Sequence, residues 1–521
     1  MSTITFKEKI SAYIKAGYPA LFVQTHDEAR VVIELNQLSK DMSLSLIKWD
    51  TKNGLVFQDG KSDQARTDGV AALELLGSIQ QARTLCLMKD FHLQMEKALQ
   101  KIALIRLLKE TFPLYKAKQN MFVFVGARFE IPIELEKEIQ ILSYGMPDTA
   151  VLLDRLHYVR DSVNNGKEVE SQLVLSADIS DRAVEAARGM TYSEVENAYS
   201  LALIENKKFD EGFVNTVYRE KFQQVKKTGL LTCIDPDVSF DDIGGLDNLK
   251  KWLAVRKQAF TQKAKDYGLP FPKGVLLSGI PGNGKSMLAK ATAREFGCPL
   301  LQLDVGALFS KLVGATEENF RKVISIVDSF GFCVLLIDEI EKNLSTMATS
   351  GAGDSGTSSR SFGTLLTWMS ERTSPVFVIA TTNNHTILPS ALVRKGRFDE
   401  AFWLDLPSEE ERREIFSVVI KRFKRDPEDF DIASFAASSD QFTGSEIEEV
   451  FKSAMYAAFY TDKEVETKHV AMEIKALTPQ AQLNNKDIER LREDSSGKLK
   501  NASSQEFKDF ASGLRKIELE T

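Results

Sequence analysis

The chain has 521 residues, 43% hydrophobic and 27% charged, with a formal net charge of −7; at ~150 residues per domain this is material for roughly three globular domains. The acidic balance argues against a primary nucleic-acid role, because phosphate backbones demand clustered Lys and Arg. No run approaches the ~20 apolar residues of a membrane span, and the start, "MSTITFKEKISAYIKAGYP", lacks the apolar core of a secretory leader, so a soluble cytoplasmic protein is expected.

From the amino terminus, short apolar runs alternate with helical periods. "PALFVQT" (19–25), "LSLIKW" (44–49), "RTLCLMKDF" (83–91) and "NMFVFVG" (120–126) read as buried strands, and "EARVVIELNQLSK" and "LQKIALIRLLKETF" as helices between them. This βαβ pattern predicts an open α/β sheet over residues 1–205. The charged stretch 205–229 reads as a connecting helix and "CIDPDVSF" (233–240), with its Asp-Pro, as an extended linker, so 206–239 joins two domains. A second α/β domain is expected over 240–407, a helical domain over 408–475 and a charged tail over 476–521. "TSGAGDSGTSSRSFG" (349–363) reads as a mobile functional loop. The four cysteines, Cys86, Cys233, Cys298 and Cys333, form no CxxC pair and read as small core residues. The five scattered histidines, His26 and His92 among them, show no metal-ligand spacing.

The strongest chemical signal is "GVLLSGIPGNGKSMLAKATA" (274–293). An apolar strand runs into Gly279-Ile-Pro-Gly-Asn-Gly-Lys285-Ser286 and a helix-forming segment follows, the strand–loop–helix context of GxxxxGK[ST]. Glycines let the backbone curl so that its N–H groups face phosphate at a helix N-terminus. Pro281, Gly282, Asn283, Gly284, Lys285, Ser286 and Met287 are the expected nucleotide-binding residues here, with Lys285 on the β- and γ-phosphates and the Ser286 hydroxyl on Mg²⁺. About 50 residues on, "CVLLIDEIEK" ends an apolar strand in Asp338-Glu339; Asp338 is suited to hold Mg²⁺ and Glu339 to polarise the attacking water. "PVFVIATTNN" (375–384) delivers Asn383 as a water positioner, and "LPSALVRKGRFDE" (388–400) carries Arg394 and Arg397, spaced as arginine fingers that stabilise transition-state charge.

With these motifs in hand, residues 238–475 resemble the AAA family of P-loop ATPases. "FDDIGGLDNLKKWL" is similar to the segment that opens AAA domains and lies against adenine, which implies Ile243 and Gly244 in the adenine pocket. Ile415, Gly444 and Ser445 are implied on the lid side, where "FTGSEIEEVFKSA" carries Ser445-Glu446 in place of the Ala-Asp of many relatives. The resemblance implies Mg²⁺-ATP as cofactor, fingers acting on a neighbouring subunit, and a homo-oligomer of six.

Nearly the whole chain resembles AAA ATPases first named as a conserved open reading frame of algal plastids, a group whose amino-terminal α/β domain is similar to an ATPase module without its P-loop. "HDEAR" (26–30) fits that description, with no glycine and two carboxylates in place of a cradle. Asp90 is read at the place of a metal-holding Asp and Phe91 at that of the catalytic Glu. The pore loop is expected at Lys311-Leu312-Val313, where threading machines commonly carry an aromatic residue. A leucine offers ~1–2 kcal/mol of apolar contact. Two functions fit the residues: a ring that remodels a protein substrate, and an ATP-controlled assembly switch that threads nothing. Neither a membrane nor a nucleic acid is expected as a partner.

Overall fold

A computed structural model describes residues 5–504 except 96–97, 128–130, 167, 169–171, 310–314, 343–354, 390–391 and 393–395. The chain divides into two compact units, Met1–Tyr218 and Arg219–Thr521.

In the first unit, strands β1 (Ala20–Gln24), β2 (Ser45–Asp50), β3 (Gly54–Val56), β4 (Ser62–Asp63), β5 (Thr84–Lys89), β6 (Met121–Gly126) and β7 (Ile139–Ser143) form one sheet in the order β4-β3-β2-β5-β6-β1-β7. The five strands from β2 to β7 in this order pair in parallel. Helices cover both faces of such a sheet, which is why "MFVFVG" is buried at every position rather than alternately. One face packs Phe22, Trp49, Phe91 and Phe122, and the other Leu21, Val31, Leu87 and Val123.

Beyond β7 the unit is helical: Thr149–Asn164, Ala177–Ala187, Tyr192–Asn206 and the start of Glu211–Lys227. Phe213, Val214 and Val217 of that last helix are buried in one cluster with Leu156 and Tyr199. The helix expected as a connector is therefore half core, and the division between units falls within it.

The second unit repeats the plan. Strands β8 (Leu231–Ile234), β9 (Gly274–Gly279), β10 (Leu300–Leu303), β11 (Cys333–Ile337), β12 (Val376–Thr382), β13 (Glu400–Leu404) and β14 (Lys500–Asn501) lie in the order β14-β13-β9-β12-β11-β10-β8. β8 is antiparallel to β10, so part of the expected linker is an edge strand. When only the shared parallel strands are numbered along the chain, both sheets read 5-1-4-3-2. The fold is thus α/β in both units, with an all-helical domain after β13 built on Glu409–Arg422, Ile432–Ser438, Gly444–Tyr460 and Thr467–Ala476.

Two segments differ from their sequence reading. Residues 355–363 of the expected Gly/Ser loop begin the helix Ser355–Glu371, while 349–354 lie outside the described residues. The described part of the charged tail, to residue 504, packs on the domain: Asn485–Ser495 is a helix, β14 extends the sheet, and Ala502 is fully buried.

Candidate nucleotide site

Strand β9 ends where the sheet reverses its winding, the place where open α/β sheets bind ligands. The loop 280–284 follows it and the helix Lys285–Phe296 begins at once. Gly282 and Gly284 hold left-handed φ of 85° and 76°, which glycine adopts without steric cost. A Cβ at Gly282 would also sit 3.0 Å from Thr443 Oγ1.

Lys285 is buried, and its Nζ donates to the main-chain oxygens of Gly279 (2.8 Å) and Ile280 (3.0 Å). Burial pulls its pKa down to about 8, against the opposing pull of Glu341, Asp338 and Glu339. The Ser286 hydroxyl donates to both carboxylate oxygens of Asp338, at 2.9 and 3.0 Å. Thr381 Oγ1 donates to the same carboxylate at 2.5 Å and accepts the Glu339 amide at 2.9 Å.

Glu339 sits at φ 47°, a conformation that costs a non-glycine residue ~1–3 kcal/mol and is typically kept where function fixes it. Its carboxylate pairs with Lys342. The Asn383 amide donates to Glu341 Oε1 at 2.9 Å, and Glu341 is itself buried.

A cavity of about 200 Å³ opens beside the loop. It brings together Ile243, Gly244, Gly282, Asn283, Gly284, Met287, Ile415, Gly444 and Ser445, all expected nucleotide contacts, with Asp405, Arg422 and Ser503. Gly244 lets the two sides close, since a Cβ there would lie 2.7 Å from the Ile415 amide nitrogen. Ser445 donates from its amide and its hydroxyl to Gly282 O, both at 3.1 Å. Glu446, which departs from the family pattern, closes a capping box on Thr443 and accepts the Gln480 amide at 2.8 Å. Pro281, Lys285 and Ser286 stand on the adjoining loop and helix rather than in the cavity wall.

These features fit a magnesium nucleotide. The glycine turn exposes amides at a helix N-terminus, the Ser286–Asp338 pair has the hard oxygen donors that Mg²⁺ takes, and Ile243, Met287, Ile415 and Val418 give the cavity apolar walls.

Arg397 is half-buried and its Nε donates to Ser370 Oγ of its own chain at 3.3 Å. Arg394 lies outside the described residues, as do Lys311, Leu312 and Val313. Sequence reasoning missed Thr381, Glu341, Asp405, Arg422 and Ser503. The only local signal was the paired threonine that ends "FVIATT".

The first unit repeats the backbone of this site with other chemistry. Asp90, the first residue after β5, has φ 50°, and Glu339, the second after β11, has φ 47°. Equating these left-handed residues puts Lys89 at the place of Asp338, and Glu28, first in its helix, at that of Lys285. The two form an ion pair of 2.8 Å, the reverse of the charges a phosphate needs. The connection 25–27 is also two residues shorter than 280–284. The sequence reading of Asp90 and Phe91 was therefore one residue out of register, and Phe91 packs in the core against Trp49 and Phe124.

The whole chain is similar to curated proteins along its length. The uncharacterized AAA domain-containing protein ycf46 of Trieres chinensis is 36% identical over 504 residues, covering 96% of this chain and 99% of its own. The chain belongs to the AAA family of ATPases. The ycf46 proteins of Guillardia theta and Pyropia yezoensis match at 33% and 32% identity, over 96% of this chain and 97% and 100% of theirs. The family model described as "ATPase family associated with various cellular activities (AAA)" matches residues 275–406 of this AAA protein, from β9 to the residues after β13. The SpoVK-like AAA ATPase N-terminal domain matches 6–144, the first sheet with its helices. The SpoVK-like second domain matches 156–228, the helices that follow.

Proposed function

We propose that this AAA protein is a Mg²⁺-dependent ATP hydrolase that works as a homo-oligomeric ring, of six subunits on the family pattern, and spends hydrolysis on remodelling a protein substrate. The observation that carries the reading is the convergence on Asp338, where the Ser286 and Thr381 hydroxyls both donate while Lys285 and Glu339 flank it. Among the described residues no helix is long and apolar enough to cross a membrane, in keeping with a cytoplasmic location.

In this reading Ser286 and Asp338 hold the metal, which would neutralise charge building on the phosphates. Lys285 leaves the Gly279 and Ile280 carbonyls to meet the β- and γ-phosphates. Glu339 takes the proton of the attacking water, its main chain fixed by Thr381. The Glu339 carboxylate pairs with Lys342 one helical turn on. Asn383, tied through its amide to Glu341, orients the water.

Arg394 and Arg397 act on the neighbouring subunit's nucleotide, and the 3.3 Å contact of Arg397 with Ser370 is weak enough to exchange. Lys311, Leu312 and Val313 face the substrate, and the first unit, with its reversed Glu28–Lys89 pair, binds no nucleotide and recruits.

Phosphate release by the purified full chain is the test. It is expected to require Mg²⁺, to stop on chelation and to recover when Mg²⁺ is restored. Release that survives chelation contradicts Ser286 and Asp338 as the metal-holding pair.

A further inference from the structure

The segment 480–504 touches the phosphate loop, the end of β13 and the start of the lid helix around the nucleotide cavity. Ile488 and Ala481 pack against Ile280 of the phosphate loop, in a cluster with Trp403 and Leu406. Arg492 donates from Nε to both carboxylate oxygens of Asp405, at 3.0 and 2.8 Å, and the Asp405 main-chain oxygen accepts Asn283 Nδ2 of the phosphate loop at 2.8 Å. Gln480 bonds Glu446 at the start of the lid helix. Past β14, the Ala502 amide donates to Trp403 O at 3.0 Å and Ala502 O accepts the Leu249 amide at 3.1 Å, next to the Ile243–Gly244 segment. Ser503 then lines the cavity itself.

We propose that this segment is a wall of the nucleotide site, with Arg492 a positioning residue for the phosphate loop, so that nucleotide binding and docking of residues 480–504 stabilise one another. The inference rests on reading the cavity as a nucleotide site. Its physical basis is that a ligand bound to one face of a shared framework must favour whatever holds that framework, and the coupling is reciprocal. Segment and ligand share three supports: Asp405 with Asn283, Ile280, and the start of the lid helix. Arg492 reaches the loop through Asp405, which bonds Asn283, so its effect falls on affinity rather than on the chemical step.

Two measurements on the full chain decide it. In hydrogen exchange, saturating Mg²⁺-ADP is expected to slow the Ala502 amide roughly 5-fold or more, the lower end of typical coupling. The Arg492→Met variant keeps the side chain's bulk, and is expected to raise the ADP dissociation constant and the KM for ATP by a similar factor with kcat little changed. Arg492→Lys should restore part of the loss. A merely structural defect would lower kcat through the inactive fraction and leave KM in place. Unchanged Ala502 exchange on ADP binding, or wild-type affinity in Arg492→Met, overturns the inference and leaves the nucleotide reading standing. Failure of the wild-type protein to bind ADP overturns both.

Discussion

Glu339→Gln is expected to lower ATP turnover by ~10²–10⁴-fold, the usual contribution of a positioned general base. The amide keeps the side chain's shape, and the residue's left-handed main chain stays fixed by the Thr381 hydroxyl. Nucleotide affinity should therefore hold while hydrolysis stops, so the variant is expected to accumulate bound ATP and to stabilise the assembled state. Single-turnover assays separate the two quantities. Turnover within about twofold of wild type would remove Glu339 as the base.

Lys285→Ala carries the second large effect. The ammonium bonds the Gly279 and Ile280 carbonyls at the start of the glycine turn, buried and with its pKa pulled down to about 8 by that burial. Truncating a buried charged partner costs about 2–5 kcal/mol, so nucleotide affinity is expected to fall roughly 30-fold or more. The nucleotide-induced rise in melting temperature should vanish with it. Normal hydrolysis in a clean preparation of the variant would remove this loop as the site.

Much of this site could be read from the sequence because its chemistry is local. The phosphate loop is one continuous run from β9 into its helix, and the Asp338-Glu339 pair ends an apolar strand. Thr381 and Glu341 were hidden because their roles come from register. Ile337 pairs with Ala380, which sets Thr381 beside Asp338 across the sheet. The same dependence on register misplaced Asp90 by one residue, since only its left-handed φ fixes the alignment with Glu339.

Segments dominated by charge misled in another way. The helix Glu211–Lys227 reads as a charged connector, yet three apolar residues on one side, Phe213, Val214 and Val217, anchor it. The carboxyl-terminal segment reads as a tail because few of its residues are apolar. Ala481, Ile488 and Ala502 are nonetheless buried, and Arg492 binds Asp405 across 87 residues of chain. Composition averages over such positions, whereas packing depends on each of them.

An ATPase completed between subunits loses specific activity when the protein is diluted, and a dilution series measures this. The wild type is run beside the Arg394→Ala/Arg397→Ala double variant. Activity per subunit is predicted to fall on dilution and to drop ~10³-fold or more in the variant, as when an arginine finger is lost. Activity that depends on neither concentration nor these two arginines would contradict the ring and leave a monomeric ATPase in its place.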